Sequence, residues 1–190
     1  DRNDWTYATL TGSDVSVKSG ATFQLSHHAL MTGDINVEVG GSFVINQAVN
    51  AASESINGSL RQDMSQLGIT SLIGNVTLKA SGSSVARMEA NISSPVTTII
   101  DGSINLDDPY GSSYKSISLV KTGNGILSVT GAVRLNSVNI EEGGLVIGNG
   151  SDNIDWYKWT IGEKGFLAAV GADNIDTLLS TGTITEASRG

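Results

Sequence analysis

Two blocks of this sequence repeat internally, and periodicity of that kind constrains a fold more tightly than any composition. Residues 14–25 lie over residues 34–45. Asp14, Val15 and Val17 fall on Asp34, Ile35 and Val37, and Gly20, Phe23 and Leu25 fall on Gly40, Phe43 and Ile45, each 20 residues on. A second block steps by 21. Ile117, Leu119, Gly123 and Ile126 map onto Val138, Ile140, Gly144 and Ile147, and the first three map again onto Trp159, Ile161 and Gly165. Phe166 and Leu167 then follow Gly165 as Leu145 and Val146 follow Gly144.

Each unit reads strand, Gly turn, strand, with apolar residues alternating in both strands. Alternation turns one face inward, because successive strand side chains point to opposite sides. A unit of about 20 residues is too short for a helical repeat or a propeller blade. The pattern predicts an all-β fold, a parallel β-helix or solenoid with 20–21 residues per rung. Rungs would stack about 4.8 Å apart, placing Val138 on Ile117 and Trp159 on Val138, with glycines at the corners. About nine such rungs would make a rod roughly 40 Å long. The competing reading is an antiparallel β-sandwich, for which Asn57-Gly58 and Asp101-Gly102 offer hairpin turns.

Composition narrows the function. Hydrophobic residues make up 39% of the 190 residues and aromatics only 5%, so the core is built from Val, Ile, Leu and Ala. The net charge of −8 argues against a nucleic-acid partner, which calls for clustered Lys and Arg, and against an anionic membrane surface. With no Cys, disulfides and thiolate zinc sites are excluded. No apolar run approaches the length of a membrane-spanning helix. The chain starts without Met and carries no signal peptide, which reads as a piece of a longer protein.

Two stretches interrupt the period. In residues 47–70, Ile56, Leu60, Met64 and Leu67 fall at helical spacing, with Ser55 as a candidate cap; the alternative is a longer loop lying on the coil. Residues 107–115 read as a loop. The segments from Gly74 to Leu78 and from Gly102 to Leu106 read as further first strands of rungs, whereas residues 80–100 carry no readable register. Trp5, Trp156 and Trp159 lie near the chain ends, where a solenoid must cover its apolar cross-section; core packing is the other reading for them. The chain divides into residues 1–116, with the irregular insertion, and residues 117–190.

The segment from Leu119 to Gly131, Leu-Val-Lys-Thr-Gly-Asn-Gly-Ile-Leu-Ser-Val-Thr-Gly, resembles the passenger-associated repeat of autotransporters. Lys121, Gly123, Gly125 and Gly131 carry the match. Val138 to Gly148, with Gly144 and Gly148, resembles the second half of that repeat. Ile126 stands where the repeat has Thr, and Ala132-Val-Arg-Leu-Asn-Ser137 replaces its usual link. The resemblance covers about 30 residues well. It implies a right-handed parallel β-helix, exported through the protein's own C-terminal translocator β-barrel to the bacterial cell surface or beyond. It also implies that the last rungs form an autochaperone, a folding seed and cap, here including Trp156, Trp159, Ile161, Gly165, Phe166 and Leu167. The expected function is a structural stalk and seed of an adhesin or virulence factor. The stalk of a secreted serine protease is the alternative, with a polysaccharide-degrading coil behind it. Expected partners, besides the barrel, are a host protein or glycan, or a like molecule.

No catalytic, metal or cofactor site is expected. His27 and His28 are the only histidines, and neighbours on a strand point oppositely. No Gly-x-Ser-x-Gly elbow, calcium repeat or phosphate-cradling loop occurs. Asp107-Asp108-Pro109 reads as a solvated turn, with carboxylate catalysis or self-cleavage at Asp-Pro as the sharper alternatives. Glu141-Glu142 also reads as a solvated turn. An outward ladder of Ser, Thr and Asn is the remaining candidate surface.

Overall fold

A computed structural model of the chain describes residues 8–26, 29–47, 69–81, 84–93, 97–107, 118–135, 137–148, 158–169 and 184–186. Within these, the chain visits three ladders of strands in rotation. Strand β1 (Ala8–Leu10) opens the first ladder, β2 (Val15–Val17) the second and β3 (Thr22–Leu25) the third. Strands β4 (Ala29–Thr32), β5 (Ile35–Val37) and β6 (Ser42–Gln47) pair with them in the same order, all parallel. Strands β7 (Ile69–Ile73), β8 (Val76–Ser81) and β10 (Arg87–Ile92) add the next level. Between the last two, β9 (Ser84–Val85) folds antiparallel onto β8. Then follow β11 (Thr97–Asp101), β12 (Ile104–Asp107) and β13 (Ser118–Thr122), and after them β14 (Ile126–Val129) and β15 (Val133–Arg134). Strand β16 (Ser137–Ile147) joins both the third and the first ladder; β17 (Lys158–Ala169) lies beside it and β18 (Ile184–Glu186) beside β17.

The alternating sequence explains the core. Inward residues of paired strands sit on one another. In the second ladder Ile35, Val76, Ile104 and Val133 form one such file. Met31, Leu72, Ile100, Val129 and Ile147 form one in the first. In the third, Phe23, Phe43, Met88, Leu119, Val138 and Trp159 follow each other, and the Phe23 and Phe43 rings stack with centroids 6.0 Å apart. Short β-branched and aliphatic side chains suit this packing, because parallel in-register strands bring like side chains together at every level.

The all-β, parallel character is as the periodicity predicts, and the antiparallel sandwich is excluded: among the described pairings only β8 with β9 is antiparallel. The right-handed parallel β-helix with uniform rungs of 20–21 residues is corrected. Because β16 is one uninterrupted strand, it pairs with β13 through its first half and with β14 through its second. The first and third ladders therefore merge into a single 12-stranded sheet, nine parallel strands form a nearly closed, barrel-like wall, and only the second ladder stands apart. Nor is the spacing constant. Along the turn that precedes the second ladder, successive levels are 20, 41, 28 and 29 residues apart.

The 20-residue alignment of residues 14–45 holds, as do the pairings of Val138 with Trp159 and Ile140 with Ile161. The remainder of the 21-residue block shifts. Val138 sits on Leu119; Ile117 lies outside the described residues. A slip of two keeps every side chain on its own face, so alternation alone cannot detect it. Gly144 pairs with Ile126, and Gly165 with Gly143. Opposite the step from Ile140 to Glu142, β17 carries one extra residue between Ile161 and Lys164, and this bulge advances the pairing by one residue beyond it. Leu167 is consequently the one packed against the core, on Leu145, while Phe166 is 46% exposed.

Gly74-Asn-Val-Thr-Leu78 and Gly102-Ser-Ile-Asn-Leu106 do lead into paired strands, β8 and β12. The unread residues 80–100 contain β9, β10 and part of β11. The proposed helix in residues 47–70 and the loop in 107–115 fall almost wholly outside the described residues.

Candidate functional site

Two constructions of polar atoms stand out from the apolar files. The first is a column at the turn before the second ladder. Asp14 Oδ1 accepts from the Asp34 backbone N–H at 2.9 Å, and Asp34 Oδ1 accepts from the Asn75 N–H at 2.7 Å. Asn75 Oδ1 accepts from the Ser103 N–H at 3.0 Å, and Ser103 Oγ accepts from the Ala132 N–H at 3.1 Å. Each short polar side chain thus satisfies a donor that the strand above does not reach. Ala132 has no side-chain oxygen, and the column ends there. Asp34→Ala is expected to cost about 1–2 kcal/mol, as loss of a helix-capping side chain does. Urea denaturation of the full chain reads this, and an unchanged midpoint would show that water serves the Asn75 N–H equally well.

The second construction is the corner between β13 and β14. Lys121 lies in the inward file that runs Leu25, Ile45, Ala90, Lys121, Ile140, Ile161, and its side chain is buried. An ammonium in such a file must find acceptors, because a bare buried charge is prohibitively costly. Nζ donates to the carbonyl oxygens of Thr122 and Gly123, both at 2.6 Å, and to that of Glu142 at 3.1 Å. Two left-handed glycines aim these groups. Gly123 and Gly143 both have φ +71°, and φ of a residue orients the peptide carbonyl just before it, here those of Thr122 and Glu142.

Burial pushes Lys121 down from 10.5 to about 8, while the neighbouring Glu142 carboxylate acts to raise it. The ammonium therefore remains charged at neutral pH. Between about pH 8 and 10.5 the folded chain holds fewer protons than the unfolded one, so stability rises with pH across that window. Below it both states are protonated and the slope from this group vanishes. The gain is up to about 3 kcal/mol, and the difference between the parent chain and Lys121→Met in urea at pH 7.5 and 10.5 measures it. A difference that stays flat over this range would contradict the shift.

The structure gathers several residues of the predicted repeat motif around this corner. The Gly125 N–H donates to Ile92 at 2.7 Å and the Gly144 N–H to the Gly125 carbonyl at 3.0 Å. Gly131 and Gly148 are elsewhere, donating to Gly102 at 2.8 Å and to Val129 at 2.7 Å. Of the predicted folding and capping residues, Trp159 is completely buried and Ile161 and Leu167 pack against the core. The backbone of β18 pairs with β17 beyond it, Ile184 opposite Trp159, so Trp159 does not lie in the last strand described. Phe166 lies on the outer face with its ring against the Gly144 α-carbon. Trp156 and Trp5 lie outside the described residues, as do His27, His28, Asp108 and Pro109. The expected turn at Glu141-Glu142 is corrected: both belong to β16, where Glu141 Oε1 accepts from Asn139 Nδ2 at 2.9 Å.

The polar column was missed in the sequence, although its signal is there. A Gly, then Asp, Asn or Ser, then Ile or Val precedes the second-ladder strand at residues 33–35, 74–76 and 102–104. Among the described residues no group of His, Asp and Glu is placed to hold a metal ion, and no helix is long and apolar enough to cross a membrane. No protein-family model, curated protein or solved structure matches the chain.

Proposed function

We propose that this chain is a structural stalk of a surface-displayed or secreted autotransporter passenger, and that its C-terminal strands act as the seed on which the preceding levels fold. The observation that carries this reading is the β16–β17 pair. These are the longest strands described, and they pair from Ser137–Lys158 to Ile147–Ala169. They flank the Lys121 corner, which belongs to the stretch that resembles the passenger-associated repeat. A strand stack gains stability level by level from its neighbours, so the longest pairing is where growth costs least to begin. The adhesive or virulence role, the translocator barrel as partner and the cell-surface location rest on the same resemblance.

Pulse-labelling hydrogen exchange during refolding of the full chain tests the seed. Amides of residues 137–147 and 158–169 are expected to gain protection before those of β2, β3, β5 and β6. Simultaneous protection throughout, or earlier protection of the N-terminal strands, would refute it.

A further inference from the structure

We propose that the corner formed by the carbonyls of Thr122, Gly123 and Glu142 is a main-chain receptor for one primary ammonium group, which in this chain Lys121 fills from within. The inference stands on geometry and does not depend on where the chain is displayed. A primary ammonium has three N–H donors, and the corner offers three carbonyl acceptors at 2.6, 2.6 and 3.1 Å. The acceptors come from both strands that the corner unites: two from the end of β13 and the residue after it, one from β16, 21 residues along the chain from Lys121.

The receptor is built by the backbone around it. The left-handed Gly123 and Gly143 direct the Thr122 and Glu142 carbonyls. A Cβ on Gly123 would lie 2.5 Å from the Ile92 carbonyl and 2.8 Å from Asn91 Oδ1, so that position is filled to contact. The file itself supplies the rest of the pocket: Ala90 on one side of Lys121 leaves room for its alkyl stem, and Ile140 closes the other. An apolar side chain here would pack against these neighbours yet offer no donor to the three carbonyls. Lys121 is thus a positioning residue. Its ammonium clasps the end of β13 to the middle of β16, the point at which the two ladders become one sheet. The spacing Lys-x-Gly follows, since the second carbonyl and the first left-handed turn both belong to the residue two places on.

Chemical rescue in the full chain tests this. Lys121→Ala keeps Cβ, and the atoms removed are those of propylamine. In this variant the Gly125 and Gly144 amides, which close the corner, are expected to exchange at least about tenfold faster. Propylammonium chloride is expected to restore their protection; propanol and sodium chloride at matched ionic strength are not. Lys121→Met keeps an unbranched apolar stem without donors, and the same acceleration is expected there, which also decides the matter if the alanine variant does not fold. Exchange at Gly125 and Gly144 unchanged in Lys121→Met would overturn the proposal. So would rescue by propanol equal to that by propylammonium, or no rescue of a folded Lys121→Ala chain.

Discussion

Trp159→Ala is expected to destabilise the chain by about 3–5 kcal/mol, the range for removing a fully enclosed aromatic side chain. Among the described residues Trp159 is the largest side chain with no exposed surface, and it closes on Val138 of the preceding strand, with β18 paired beyond it. The space left by the indole is enclosed by strand backbone on two sides, and a hydrogen-bonded sheet collapses into such a hole less readily than a loop does. Trp159→Phe provides the control. The indole Nε1 makes no hydrogen bond, so phenylalanine keeps most of the packing and sacrifices no polar contact. Its cost is expected to stay within about 1.5 kcal/mol. Urea midpoints of the parent and both variants decide the point, and equal losses for Ala and Phe would show that the interior depends on something other than volume at this level.

Gly143→Ala is expected to cost about 3 kcal/mol, for two reasons that act together. The residue sits at φ +71°, where a Cβ is strained. That Cβ would also collide with the carbonyls of Gly123 and Gly125. Gly20→Ala separates the two contributions, because it has φ +76° with open space around it. Its expected cost is about 1–2 kcal/mol from conformation alone. If thermal or urea unfolding gives the two substitutions the same loss, crowding at the corner is not important.

The sequence disclosed the strands and their parallel stacking wherever two levels follow each other without interruption. Val15 over Ile35 and Phe23 over Phe43 are legible because both the spacing and the chemistry repeat. It concealed the register where the spacing changes. Leu119 and Ile117 are both apolar and two residues apart in the sequence, so nothing local chooses between them as neighbours of Val138. The bulge in β17 between Ile161 and Lys164 carries no sequence mark beyond Gly162, yet it decides which of Phe166 and Leu167 lies on Leu145. Uniform rungs were an extrapolation from five segments. The levels between Asp34 and Ala132 are 41, 28 and 29 residues apart, and no fixed period spans them. As for the candidate site, Lys121 and its glycines were visible as a motif, but its position in an apolar file depends on partners from β10 and β16. A lysine that points into a core looks the same in a sequence as one that points into water.

The polar column before the second ladder has a consequence for how such a chain can change length. Successive levels meet there through the same side-chain-to-backbone bond whether the intervening chain is short or twice as long. Registration is therefore set locally by one tripeptide, and the path between tripeptides is free to grow. Peptides grafted into the connection between Gln47 and Ile69 would be carried as passengers of the architecture, without altering which residue meets which along the spine.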